Sequence, residues 1–213
     1  MNVPVFVSRP TPHLASQAAF VAEFESALAD RGLDARTLGP GSSYDYEAPL
    51  VGIRRMLAHC CGLVSIAFRR THAPTATRNR GADLPASTEL LLEDLWFASP
   101  YCQIEPAMAF QLGLPILILR EQGVVAEGIL EKGVIGLYMP EFRTDAPASF
   151  IRSEECKRLL EQWGGYVRSV YNRRGNPPKL FDCSGLQALR GPHRAPGARL
   201  DRLPSDRCAP HGR

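Results

Sequence analysis

Ser99-Pro100-Tyr101-Cys102-Gln103-Ile104-Glu105-Pro106-Ala107-Met108-Ala109-Phe110-Gln111-Leu112-Gly113-Leu114-Pro115-Ile116-Leu117-Ile118-Leu119 is the stretch whose reading decides the fold. It spells helix, stop, strand. Pro100 suits a first helical turn, where a missing N–H removes no bond. Gly113 fits the residue just past a helix end, where a left-handed conformation closes the last turn. Residues 114–119 are continuously apolar, with Pro115 at the strand start, where proline is tolerated. A strand without polar alternation is buried on both faces, and that is the mark of a parallel sheet covered by helices. Ile104, Ala107, Met108 and Leu112 form the expected sheet-facing side of the helix, which leaves Glu105 in its first turn at the rim of the sheet.

The same alternation extends outward. Val3-Pro4-Val5-Phe6-Val7 reads as a first buried strand, stopped by Ser8-Arg9-Pro10. A helix capped by Ser16 and ending at Gly32 follows, then a short strand over 33–38 and a loop at Gly39-Pro40-Gly41-Ser42-Ser43. Leu50, Val51, Ile53, Leu57 and Ala58 have helical spacing, and residues 63–68 form a third apolar run. Residues 69–87 are polar with Pro74, Gly81 and Pro85 and read as a long loop; residues 88–97 have helical composition. Beyond the deciding stretch come a short helix over 124–131, a last strand over 134–139, and a helix capped by Ser153, with Glu154 and Glu155 in its first turn, running to about Tyr171. The fold class is therefore α/β: a flavodoxin-like parallel sheet of about five strands with helices on both faces. Ligands of such sheets bind beyond the carboxyl ends of the strands.

The bulk composition sets further bounds. The 213 residues are 45 % apolar and 22 % charged, ordinary for a globular chain with a full core. The net charge of +3 is unevenly placed: residues 1–172 hold 16 Lys+Arg and 19 Asp+Glu, whereas residues 173–213 hold 9 and 3. We read residues 1–172 as one domain and residues 173–213, with six Pro and five Gly, as a disordered basic tail. Nucleic acid is a candidate partner only through that tail. The six cysteines show no C-x-x-C pair, the N-terminus lacks the pattern of a secretory leader, and no apolar run reaches 18 residues. A cytoplasmic, reduced setting without a membrane span is the expectation.

Three loops lie at the binding end of such a sheet: 8–13, 68–87 and 120–124. No Walker motif occurs and no G-x-G-x-x-G follows a strand, so phosphate-loop folds are disfavoured. His13, His59 and His72 have no metal-ligand spacing. Glu105 has two readings: an ordinary acid favoured by the helix dipole, or a carboxylate held beside a ligand crevice. Phe6, Ser8 and Arg9 sit at the end of the first strand and are candidates to line that crevice; Arg9 would suit a pyrophosphate, or else be a solvated turn residue. Cys102 reads as a nucleophile near a helix start or as a small buried hydrophobe.

With these residues in view, the chain resembles the Toll/interleukin-1 receptor (TIR) domain in its bacterial stand-alone form. The resemblance covers about residues 3–140 and rests on Val5-Phe6-Val7-Ser8, on the apolar third strand, and on the Cys102-x-x-Glu105 spacing followed by Gly113-x-Pro115. In that family a Ser-x-Trp-Cys-x-x-Glu-Leu segment carries the glutamate of the NAD-cleaving members; here Tyr101 stands for the Trp and Pro106 for the Leu. The layout is also similar to the related nucleoside 2-deoxyribosyltransferase-like fold, whose glutamate attacks a sugar carbon.

The resemblance implies an NAD-cleaving hydrolase or cyclase with Glu105 as catalytic residue. Phe6, Ser8, Arg9, Trp96 and Tyr101 would be its ligand-binding residues, with Trp96 and Tyr101 stacking on nicotinamide or adenine or else belonging to the core. NAD enters as substrate, with no further cofactor and no metal. The family further implies bacterial signalling or antiphage defence, and activation by self-association or by a partner protein. The alternatives are deoxyribosyl transfer and a non-catalytic nucleotide-binding or protein-interaction module.

Overall fold

The computed structural model describes residues 2–38, 48–135 and 139–173. They fall within one compact unit, Met1–Leu180. The expected loop at 39–43, residues 136–138 and, apart from Arg173, the expected tail lie outside the described residues.

Among the described residues, seven strands and five α-helices follow in the order β1 (Val3–Ser8), α1 (Ala15–Ala29), β2 (Leu33–Arg36), α2 (Pro49–Ala58), β3 (Leu63–Ala67), β4 (Thr71–Arg78), β5 (Leu90–Phe97), α3 (Tyr101–Gln111), β6 (Ile116–Glu121), β7 (Glu141–Phe142), α4 (Pro147–Ile151) and α5 (Glu154–Asn172). Five strands form a parallel sheet in the order β2-β1-β3-β6-β7. The α/β class with a five-stranded parallel sheet is thus what the molecule has. The central strands carry no polar alternation because helices cover both of their faces.

One side of the sheet is welded by aromatic rings. Phe20 of α1 stacks on Phe142 of β7 at 4.1 Å between centroids and meets Phe68 edge-on at 5.8 Å. Helix α5 closes the same core with Leu160, Trp163, Val167 and Val170, and the Trp163 indole N–H donates to Pro115 O at 3.1 Å. A Cβ at Gly62 would lie 2.5 Å from Val167 Cγ2, so only glycine lets β3 begin this close to α5. A smaller core on the α3 side joins Ala67, Cys102, Ile118, Val124, Leu130 and Met139. Ser153 caps α5 as expected, accepting from Cys156 N at 3.1 Å.

Four expectations are corrected. Within the expected loop over 69–87 and helix over 88–97, the connection over 79–89 is loop, but Thr71–Arg78 and Leu90–Phe97 are instead strands, which pair as an antiparallel hairpin from Thr71↔Phe97 to Arg78↔Leu90. Both of its faces are largely solvated, so burial imposes no alternation, and a leucine-rich strand then has the composition of a helix. Residues 124–131 form only one 3₁₀ turn, Gly128–Leu130. The last strand among the described residues is Glu141–Phe142, and the centre of the strand expected over 134–139, residues 136–138, lies outside them. Helix α1 begins after Leu14, and no side chain, Ser16 included, caps it.

Candidate functional site

The site grows from a rotation of α3. Its buried face carries Cys102, Glu105, Pro106 and Ala109, whereas Ile104 and Ala107 point outward. That corrects the expected sheet-facing side, which keeps only the half-buried Met108 and Leu112. Glu105 therefore lies in the second turn on the inward face, 7 % exposed, and no acid stands in the first turn. The reading as a dipole-stabilised surface acid falls with it.

Local chemistry fixes this orientation. Pro106 has no N–H to give to Cys102 O, the acceptor one helical turn back. The Ser65 hydroxyl donates to that carbonyl instead, at 3.4 Å. Ser65 sits mid-strand in β3, so the bond pins the first turn of α3 to the sheet. Cys102 completes the seam by directing its thiol to Ile66 O at 3.7 Å. Its thiol is pushed up to about 12, first by burial and then by the neighbouring Glu105, so it remains protonated and acts as a small core residue.

Ser8 is the register partner of Ser65 across β1 and β3. In-register neighbours of a sheet share a face, so Ser8 also points toward α3. Its hydroxyl is buried and makes no hydrogen bond of ordinary geometry among the described residues. It nonetheless lies close enough to Glu105 to draw the carboxyl pKa slightly down. Burial dominates in the other direction and raises Glu105 to about 7.

A second buried carboxylate shows what an occupied one looks like here. Glu121, at the end of β6, accepts from Arg69 N at 2.7 Å, Thr144 Oγ1 at 3.0 Å and Gln17 Nε2 at 3.5 Å. It ties the entry of the hairpin to α1 and to the loop after β7. Among the described residues Glu105 has no such set of donors; the Ser8 hydroxyl is the group that favours its charged form, and burial outweighs it.

The other expected site residues separate. Phe6 is a core side chain on the Ser8 face of β1, 1 % exposed. Arg9 turns to α1, where its guanidinium meets Glu25 at 3.5 Å. Trp96 lies in β5 with its ring stacked on His72 at 4.5 Å, and the Arg69 guanidinium lies 5.8 Å from its centroid. Tyr101 opens α3 and is exposed, with its backbone N–H donating to Ser99 Oγ at 3.4 Å.

Sequence reasoning missed Ser65, Ser99 and Arg70. Arg70 donates from Nη1 to the buried Ser99 hydroxyl at 3.3 Å, which sets an exposed guanidinium at the start of α3. The signal available for Ser65 was a lone polar residue inside Leu63-Val64-Ser65-Ile66-Ala67-Phe68; Arg70 had none, because its partner lies across the hairpin. No group of three or more His, Cys, Asp or Glu arranged to hold a metal occurs among the described residues.

No protein-family model and no curated protein matches this chain. Among solved structures it is similar to a CMP N-glycosidase of Clostridium botulinum, with 11 % identity and a TM-score of 0.40 over 70 % of this chain and 97 % of that one. No helix among the described residues is long and apolar enough to cross a membrane.

Proposed function

We propose that the protein cleaves the N-glycosidic bond of a ribosylated nucleotide, with NAD as substrate and Glu105 as the catalytic carboxylate. The observation that carries this reading is Glu105 itself, buried on the inward face of α3 beside the Ser8 hydroxyl, with its pKa raised by burial to about 7. Breaking the bond from C1′ to nitrogen sends its electron pair to the departing base and leaves positive charge on the ribose. For NAD that pair neutralises the pyridinium ring. A desolvated carboxylate meets such charge more strongly than one in water, and it can also add to C1′ before water displaces it. Arg70 and the Ser99 hydroxyl at the start of α3 supply donors suited to a phosphate of the substrate. The Cys102-x-x-Glu105 resemblance to NAD-cleaving TIR domains selects NAD among ribosylated substrates.

Only the ionised carboxylate can do this work. Turnover should rise with pH through about 7 and level off above it. The test is nicotinamide release from NAD over a wide range of protein concentration. Wild type should release it, and Glu105→Gln should lose on the order of 100-fold or more. Equal rates for the two, or intact NAD with both, would overturn the reading. Base exchange on deoxynucleosides with NAD untouched would replace it with deoxyribosyl transfer.

A further inference from the structure

We infer that Gln17 and Glu121 are positioning residues for Arg70: they hold the backbone that aims its guanidinium at the start of α3, ready for a phosphate. The inference rests on the phosphate role proposed above for Arg70 and Ser99, and it names the residues that preorganise that role. Neither residue belongs to the seam around Glu105.

The segments that leave β1, β3 and β6 at the binding end of the sheet all meet at these two side chains. Gln17 is 0 % exposed and Glu121 3 %. Gln17 Oε1 accepts from His13 N at 3.2 Å, on the segment after β1. Its Nε2 donates to Arg69 O at 3.1 Å, on the segment after β3, and to Glu121 Oε2 at 3.5 Å, at the end of β6. Glu121 Oε2 also accepts from Arg69 N at 2.7 Å, and its Oε1 from Thr144 Oγ1 at 3.0 Å. Only one orientation of the Gln17 amide serves this set. Reversed, its NH₂ would face the His13 N–H and its oxygen would face the carboxylate.

The consequence falls on Arg70. Both backbone polar groups of Arg69, N–H and C=O, are held by buried side chains, so the peptides on either side of Arg69 are fixed. The Arg69 side chain leaves toward Gln122 O at 2.8 Å. Arg70 N donates to Phe97 O at 3.0 Å, and its Nη1 reaches Ser99 Oγ at 3.3 Å. The rest of the Arg70 side chain is exposed, and a long exposed arginine keeps one direction only when its root is fixed. Buried polar side chains are costly unless their bonds are made, and a bonded buried network rigidifies what it holds. Here it holds the backbone next to the phosphate donor.

Calorimetric titration of the full chain with ADP-ribose tests this, because that probe keeps the pyrophosphate of NAD and lacks the nicotinamide bond. Gln17→Met and Arg70→Met should each weaken binding roughly tenfold. The double variant should bind no more weakly than Arg70→Met alone, since Gln17 acts through Arg70. Glu121→Ala should weaken binding as Gln17→Met does. Glu121→Gln should recover wild-type affinity to within about threefold, because its amide oxygen can take both bonds of Oε2 while its NH₂ donates to Thr144. Additive losses in the double variant, a Gln17→Met that binds like wild type, or a Glu121→Gln as weak as Glu121→Ala would each overturn the inference. So would a wild type that fails to bind ADP-ribose, or binds it no better than Arg70→Met. Nicotinamide release reads the Glu105 chemistry separately: intact NAD with these affinities as expected would overturn that reading and support this one.

Discussion

Replacing Glu105 with Gln should make the protein more stable, and only at neutral to alkaline pH. The carboxyl is raised from 4.5 to about 7 by burial. Below pH 4.5 both the folded and the unfolded chain hold the proton, and Gln mimics that neutral form at no great difference. As pH rises from 4.5 to 7, the unfolded chain ionises freely while the folded chain retains the proton. Wild-type stability therefore falls through this window and stays low above it. A shift of roughly 2.5 units corresponds to about 3 kcal/mol at pH 8.

The assay is urea unfolding of wild type and E105Q, followed by far-ultraviolet circular dichroism at pH 5 and pH 8. Other titrating groups act on both proteins and cancel in the difference. E105Q should exceed wild type by roughly 2 kcal/mol more at pH 8 than at pH 5. An advantage independent of pH would mean that Glu105 ionises normally, and the argument from burial would fail. A lower stability of E105Q at pH 8 would mean that the folded chain favours the ionised carboxylate, against the dominance of burial.

Two further outcomes follow from the seam under α3. Ser8→Ala removes the one group that lowers the Glu105 pKa, so the midpoint of the pH–rate profile should move upward, and Ser8→Thr should restore it; an unchanged midpoint would detach Ser8 from the carboxylate. Ser65→Ala should cost about 1–3 kcal/mol, because it leaves the buried Cys102 carbonyl without a donor. In a Pro106→Ala background the restored N–H can serve that carbonyl, so the same substitution should cost visibly less; equal costs in a double-mutant cycle would refute the proline account.

The amino-acid sequence by itself determined the parallel α/β core. Continuous apolar runs such as 63–68 and 114–119 can be hidden only between two helical layers, and Gly113 and Ser153 mark the helix ends through local backbone chemistry. Position 105 was also legible, through its spacing from Cys102. Three things were decided only by the tertiary structure. The hairpin exists because Thr71–Arg78 and Leu90–Phe97 find each other across a turn, and no local period records a pairing whose faces both meet water. The face of α3 was misread because apolar periodicity favours Ile104 and Ala107, whereas the Pro106 gap and the Ser65 hydroxyl turn Glu105 inward against that pattern. Arg9 and Trp96, adjacent to the site in sequence logic, are held by Glu25 and His72 instead. Spacing along the chain could nominate a carboxylate. Its desolvation, and hence its chemistry, depends on which neighbours the fold gives it and which it withholds.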